Sequence, residues 1–271
     1  MKHWTIDDIA WEHFDPSKVD PEILKAVKAA ALVEHNGYDY AAYLCSVFAD
    51  DPAFCQAAKD WAEEEVQHGR ALRRWAEYAD PTFDFDDAFA RFTRDITLPL
   101  DAKQSIRGSR SGELVARCIV EVGTSSFYGA MAAATEEPVL KSIAMRIRAD
   151  ELRHYKLFYN HLNRYLEREQ LGPTRRLMIA LSRIRETEDD ELAYAYHCAN
   201  GLAGPYDRSA CIAAYSRRAY GMYKRPHVER AVMMTCKAAG LDPQSRVARL
   251  LGDASWWLMR KKVGWLERRA A

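Results

Sequence analysis

Two glutamate and histidine pairs with the same internal spacing, Glu65-Val66-Gln67-His68 and Glu151-Leu152-Arg153-His154, each follow a solitary glutamate, Glu34 and Glu121, at intervals of 31 and 30 residues. On an α-helix, positions i and i+3 share a face, so each pair can aim a carboxylate and an imidazole at one point. Four helices carrying these residues would supply four carboxylates and two imidazoles, a ligand set for two metal ions. Oxygen-rich ligation with one nitrogen per metal suits iron or manganese. Zinc favours closed tetrahedral sites, and calcium takes oxygen alone. One Glu-x-x-His is usually a solvated helical pair; two copies in matching apolar settings are a stronger signal.

The solitary glutamates need separate arguments. Around Glu34, one or two turns away, stand Val27, Ala30, Ala31, Tyr38 and Ala41, so a carboxylate there is buried and costly unless metal-bound or paired. The alternative is a surface glutamate on an alanine-rich helix. Glu121 follows Cys118-Ile119-Val120, and Glu113, two turns earlier, is the rival ligand.

The helices that must position these groups are legible from punctuation. A first helix is expected from about Pro21 to Phe48, with Asp50-Asp51-Pro52 as stop and restart, and a second to about Tyr78 before Pro81. So short a link makes an antiparallel hairpin. From 80 to 110 the helical period is lost, apart from a short helical stretch at 84 to 95, which gives a long crossover. A third helix from about Gly112 to Ala134 and a fourth from Pro138 to Gln170, ahead of Gly172-Pro173, complete a second hairpin. The repeated pattern implies an approximate twofold axis through the site. Further helices are expected at about 174 to 201, 209 to 222, 226 to 239 and 245 to 268, punctuated by Gly201, Gly204-Pro205, Pro226 and Asp242-Pro243. The chain therefore reads as all-α, divided into an N-terminal extension (1–20), a helical unit carrying the ligands (21–171) and a C-terminal helical extension (172–271).

The 271 residues, 48% apolar, can build a core without staples. Lys plus Arg equals Asp plus Glu, so global charge gives no case for nucleic acid or an anionic membrane, and any basic patch must be local. The six cysteines form no C-x-x-C pair and sit in apolar helical segments, as reduced core residues do. The start has no apolar signal core and no run suits a spanning helix, so the expected location is the cytoplasm.

With its ligand pattern and hairpin order, the sequence resembles the ferritin-like di-iron carboxylate superfamily over residues 21 to 170. Locally, Glu64-Glu65-Val66-Gln67-His68-Gly69 is similar to the Glu-Glu-x-x-His-Gly of acyl-carrier-protein desaturases, and Asp150-Glu151-Leu152-Arg153-His154 to their Asp-Glu-x-Arg-His. The resemblance implies a four-helix bundle with a long crossover between helices 2 and 3, followed here by additional C-terminal helices. It also implies an Fe–Fe or Mn–Fe centre bridged by carboxylates and using O2 or peroxide. By that match Glu34, Glu65 and His68 ligate mainly one metal, and Glu121, Glu151 and His154 the other, with Glu65 and Glu151 as bridges. Glu64 and Asp150 would accept the imidazole N–H groups and fix the rings. This chain is shorter than the desaturases, and the resemblance does not extend to its last hundred residues. Leu72 stands where the ribonucleotide reductase small subunit carries its radical tyrosine, and Ile147 where N-oxygenase relatives carry an additional histidine.

Gly123-Thr124-Ser125-Ser126, just after Glu121, is a poor helix interior and a place where a π-bulge is expected. As in the oxygenases the sequence resembles, Thr124 or Ser125 would face the metals and deliver protons; the alternative is small residues for close helix packing. Tyr38 and Tyr128 could line a pocket or carry an electron, or simply be core, and Trp61 has the same two readings. His161 is read as a packing histidine. From Asp242 onward seven Lys or Arg and three acids interleave with Trp256, Trp257 and Trp265. That helix would dock an acidic carrier protein, lie on a membrane surface, or pack its tryptophans inward.

The expected function is an O2-dependent di-iron oxidoreductase, of oxygenase or desaturase type, acting on an apolar, acyl-like substrate. No four-cysteine electron-transfer module is fused to it, so a separate ferredoxin or reductase would supply electrons. A homodimer is the superfamily-level expectation. The alternatives are a ferroxidase or rubrerythrin-like peroxide scavenger, and a binding protein with a vestigial site.

Overall fold

The computed structural model describes residues 3–186, 190–201 and 205–270. Its long elements are α1 (Pro21–His35), α2 (Gly37–Val47), α3 (Pro52–Ala79), α4 (Phe85–Asp95), α5 (Arg110–Ala134), α6 (Pro138–Glu169), α7 (Pro173–Glu186), α8 (Asp190–Asn200), α9 (Arg208–Gly221), α10 (Arg225–Ala238) and α11 (Arg246–Ala270). The described residues contain no strand, so the chain is all-α. None of their helices is long and apolar enough to cross a membrane.

Helix starts follow one chemistry. Asp20, Asp51 and Glu137 each precede a proline at the first helical position, and each accepts hydrogen bonds from the first-turn amides; Ser109 does the same for α5 without a proline. The cap satisfies otherwise orphaned N–H groups, and proline brings a preset φ and no donor to waste. Helix α6 ends at Gln170, which takes the left-handed conformation at φ 52°.

Helices α1 and α2 lie along α3, α5 lies along α6, and the two hairpins meet where α3 touches α6. Among the described residues, buried apolar side chains form two clusters. One contains Val27, Leu32, Leu72, Trp75, Met131, Ile143 and Ile147. The other contains Leu44, Phe48, Phe54, Trp61, Leu114, Ile119, Phe158 and Leu162. Along each helix, the candidate ligand positions fall between the stretches that feed these clusters. The polar site is thus sandwiched between two dry layers. Trp75, Phe54 and Phe158 are fully buried, and truncating any of them to alanine costs about 3–5 kcal/mol.

Two helices expected to be continuous are broken. The segment 21 to 48 divides at Asn36, whose N–H bonds Val33 O (3.1 Å). The break falls at the turn-forming pair Asn36-Gly37, and a Cβ on Gly37 would lie 2.8 Å from Glu65 Cβ, so the chain enters α2 pressed against α3. The segment 174 to 201 is two helices with different partners, α7 against α5 and α10, α8 against α1, α4 and α9. Gly204, expected as punctuation, lies outside the described residues.

Residues 3–19 form a strap of three 3₁₀ turns, Ile6–Asp8, Trp11–His13 and Pro16–Lys18. It runs across α3 and α6, anchored by buried Ile9, by Phe14 against Trp75 and Tyr78, and by Asp15 N–H donating to Glu137 Oε1 (3.2 Å).

Candidate metal centre

Six side chains from α1, α3, α5 and α6 converge between the two apolar layers, all of them buried. One donor atom each from Glu34, Glu65, His68 and Glu151 lies within 4.8 Å of the others, and the same holds for Glu65, Glu121, Glu151 and His154. Glu65 and Glu151 belong to both groups. His68 Nδ1 stands 3.6 Å from Glu34 Oε2 and 3.3 Å from Glu151 Oε1. His154 Nδ1 stands 2.9 Å from Glu65 Oε1, 3.6 Å from Glu121 Oε2 and 3.9 Å from Glu151 Oε1.

The donor set fits metal ions on an observation independent of spacing. Glu34 Oε2, Glu65 Oε1, His68 Nδ1, both Glu121 oxygens, Glu151 Oε1 and His154 Nδ1 are all buried without a hydrogen-bond partner. Buried polar atoms are almost always satisfied, and seven unsatisfied ones from the same six residues are costly unless a cation takes them. The outward nitrogens are satisfied. His68 Nε2 lies 3.0 Å from Asp150 Oδ2, and His154 Nε2 lies 2.9 Å from Glu64 Oε2. Each carboxylate on one hairpin holds the imidazole of the other. When the ring is neutral, an N–H donated outward leaves the Nδ1 lone pair facing the site.

The electrostatics agree. Burial pushes the Glu121 carboxyl up, the Glu151 charge adds to it, and the group reaches about 8. Burial, then the charges of Glu151 and Glu34, hold Glu65 well above the usual carboxylate range. Glu151 is lowered instead: burial raises it, but the nearby imidazoles of His68 and His154 outweigh that. Burial alone would depress both imidazoles, yet the carboxylates around them hold His68 and His154 well above the ordinary histidine value. Asp150 opposes its own burial through His68, Arg153 and Trp4 and drops to about 2. The metal-free site therefore stores protons that a metal ion must displace.

Helix α5 runs as regular α-helix through 123–126, with no π-bulge. The hydroxyls that make this stretch a poor helix on paper bond back to it: Thr124 Oγ1 to Val120 O (3.2 Å) and Glu121 O (3.3 Å), Ser125 Oγ to Val122 O (3.2 Å). Thr124 Oγ1 also reaches Glu151 Oε2, so it touches the cluster, whereas Ser125 is satisfied by its own helix.

Tyr38 stands apart from the cluster. It is 48% exposed, donates to Glu63 Oε2 (2.8 Å), and lines an outer cleft of about 260 Å³ with Ala41, Ala42, Cys45 and Lys59. The break at Asn36 shifts the helical phase after Glu34 and turns Tyr38 away from the ligand face. Tyr128 takes the place beside Glu34, donating to its Oε1 at 2.5 Å. Glu113, the rival ligand, is engaged elsewhere, accepting from Tyr43 OH (3.0 Å) and Ser105 Oγ (2.6 Å). Trp61 packs in the core with its edge toward His154, and His161 accepts from Arg164 (2.9 Å). All six cysteines are free, with Cys45 and Cys55 half-buried and the rest buried. On α11, Trp256 is half-buried, while Trp257 and Trp265 are exposed rather than packed inward.

Sequence reasoning missed Trp4 and the full part played by Arg153. Trp4 Nε1 donates to Asp150 Oδ2 (2.6 Å), and its ring stacks on His68 at 6.0 Å and 5°. Arg153 bonds both outer carboxylates, Glu64 at 3.0 Å and Asp150 Oδ1. Arg153 was inside the quoted motif and could have been found; nothing around Trp4 marks it. No protein-family model matches this sequence, and no curated protein is detectably similar to it.

Proposed function

We propose that the chain is an O2-dependent di-iron oxidoreductase of oxygenase or desaturase type, with a ferritin-like four-helix bundle formed by α1/α2, α3, α5 and α6. The observation that carries this reading is the inward convergence of seven unpartnered donor atoms, shared between two overlapping groups. Glu34, Glu65, His68 and Glu151 would hold one ion, and Glu65, Glu121, Glu151 and His154 the other, with iron at both positions or manganese at one. Two irons held there would supply the electrons that reduce O2 and the oxidising power that removes hydrogen from, or adds oxygen to, an apolar, acyl-like substrate.

The chain's own residues do the rest. Apolar layers above and below exclude water from the reacting centre. Asp150 and Glu64 keep both imidazoles in the tautomer whose Nδ1 is free. The Thr124 hydroxyl holds a proton against Glu151 Oε2, and Tyr128 holds one against Glu34 Oε1, so each can hand a proton to a ligand carboxylate. Electrons come from a separate ferredoxin or reductase.

A ferroxidase or rubrerythrin-like peroxide scavenger would use the same donors. The packing of α7 to α10 over α1 and α5 favours the first reading, since iron handling needs no such cover. The test is metal retained per chain after anaerobic Fe(II) loading, O2 exposure and desalting. Two irons, lost in Glu65→Ala and Glu151→Ala, are expected. Many irons per chain would replace this reading with storage, and neither iron nor manganese bound would end it.

A further inference from the structure

We propose that the N-terminal strap is a clamp on one metal position, and that Trp4 is its positioning residue. This rests on the metal reading above. Asp150 Oδ2 accepts two hydrogen bonds, from His68 Nε2 (3.0 Å) and from Trp4 Nε1 (2.6 Å), while Arg153 occupies Oδ1. Both lone pairs of Oδ2 are used, and three bonds from three side chains hold the carboxylate against the imidazole. The Trp4 ring lies parallel to the His68 ring and blocks its rotation on that side. Trp4 is itself fixed: Gln67 Nε2 donates to its carbonyl (2.9 Å), Arg146 lies over its indole (5.8 Å), and Arg146 Nη2 donates to Asp8 O (3.0 Å) farther along the strap.

The other position has no such clamp. His154 is held by Glu64, whose strap contact is His3 (3.1 Å), with more than half of the His3 side chain in solvent. The ion held by His68 should therefore leave more slowly than the ion held by His154. Outer partners of metal-bound histidines are worth about 10- to 100-fold in metal affinity.

The full chain is loaded with two equivalents of Co(II), and release to a chelator is followed by the visible Co(II) bands. Wild type should release cobalt in two phases. Trp4→Ala should accelerate the slow phase about tenfold or more and leave the fast one alone. Trp4→Phe, which keeps the ring but not the N–H, should fall between them. Wild-type kinetics in both variants would overturn the clamp, as would equal acceleration of both phases with a lowered Tm, the mark of general loosening. A wild type that binds no cobalt, iron or manganese would instead sink the underlying metal reading.

Helix α11 is apolar on two faces. Ala248, Gly252, Val263 and Leu266 are buried on the inner one, which packs on α9 and α10. The outer face leaves Val247, Leu250, Leu251, Trp257, Leu258 and Trp265 exposed. The helix carries seven Lys or Arg against Asp253 and Glu267 in a chain of zero net charge. Cations sit over its outer indoles, Lys261 on Trp257 (5.6 Å) and Arg269 on Trp265 (4.2 Å). We infer that this face docks on an anionic lipid surface. Positive charge opposes self-pairing, and a convex ridge of aromatic and aliphatic tips ringed by cations suits the fluid headgroup boundary.

The full chain should co-sediment with vesicles containing phosphatidylglycerol at least tenfold more strongly than with phosphatidylcholine alone. Lys261→Glu with Arg268→Glu should lose about tenfold, and Trp257→Ser with Leu258→Ser at least as much. Equal affinity for neutral vesicles, or binding untouched by either pair, would overturn the inference. So would a dimer in light scattering that the serine pair dissociates, since a second copy would then cover the face.

Discussion

The two hairpins offer the centre the same donors and surround them differently. In the first, the helix carrying the solitary glutamate breaks two residues after it, at Asn36; in the second, α5 continues without interruption past Glu121. Glu34 Oε1 accepts from Tyr128, whereas neither oxygen of Glu121 has a partner. His68 is held by Asp150, which Trp4 ties to the strap, and His154 by Glu64, whose strap contact is the exposed His3. Sequence symmetry thus sets what the ligands are, and asymmetric packing sets how firmly each is held. Two chemically similar positions can then differ in exchange rate and in proton supply.

The comparison breaks most completely at the residues both halves share. Glu65→Ala or Glu151→Ala removes a donor from both groups, and metal content should fall from two per chain to nearly none. Glu34→Ala and Glu121→Ala each remove a donor from one group, so each should retain about one. Elemental analysis of desalted protein checks this. Equal losses in all four variants would mean that the two positions fill only together.

Proton storage gives the next effect. The Glu121 carboxyl goes from 4.5 to about 8 on folding, so across that range the metal-free folded state binds a proton that the unfolded chain lacks. Raised His68 and His154 extend the same sign to higher pH. Metal-free stability should therefore fall as pH rises, by up to about 1.4 kcal/mol per unit for each proton involved. Asp150 has the opposite sign, but only between 3.8 and about 2. Metal affinity should rise over the same window in which bare stability falls. Denaturant titrations of metal-free protein at several pH values, beside metal titrations, test both. A bare protein that gains stability from pH 5 to 8 would show that the carboxyls are ionised without metal.

Much of this was legible beforehand, and most of what was not depends on contacts between distant elements. Helix starts could be read because Asp51-Pro52, Asp20-Pro21 and Glu137-Pro138 act locally, and the meeting of six donors because i, i+3 spacing is a property of one helix. The break falls at Asn36-Gly37, a turn-forming pair that a reading by apolar period passed over. The placement of Tyr38 failed with it, since its assumed phase required an unbroken helix. The bonds of Tyr128 to Glu34 and of Trp4 to Asp150 join residues 94 and 146 positions apart, and only the packing reveals them.

Tyr128→Phe sharpens the comparison at a smaller scale. It removes the hydroxyl from Glu34 and touches nothing on Glu121. Hydrogen bonds to charged groups contribute about 1.5–3 kcal/mol, so binding at the Glu34 position should weaken roughly tenfold or more while the other position is unchanged. Two-site metal titration separates them, and parallel weakening at both would mean that Tyr128 acts through the shared carboxylates.

The glycines carry the same contrast to the smallest effect. A Cβ on Gly69 would lie 2.6 Å from His35 N, so Gly69→Ala must push α3 away from the end of α1, at about 1–3 kcal/mol. Gly123, two residues after Glu121, has nothing within 4 Å of the same added atom. Gly123→Ala should therefore stabilise the fold by about 0.5–1 kcal/mol, the ordinary helix-propensity gain, with metal content unchanged. If urea midpoints moved the same way in both variants, the tight approach of α1 and α3 would not be what sets the first hairpin apart. A stabilised Gly123→Ala that lost metal would show that α5 needs its weak helix to admit the ions.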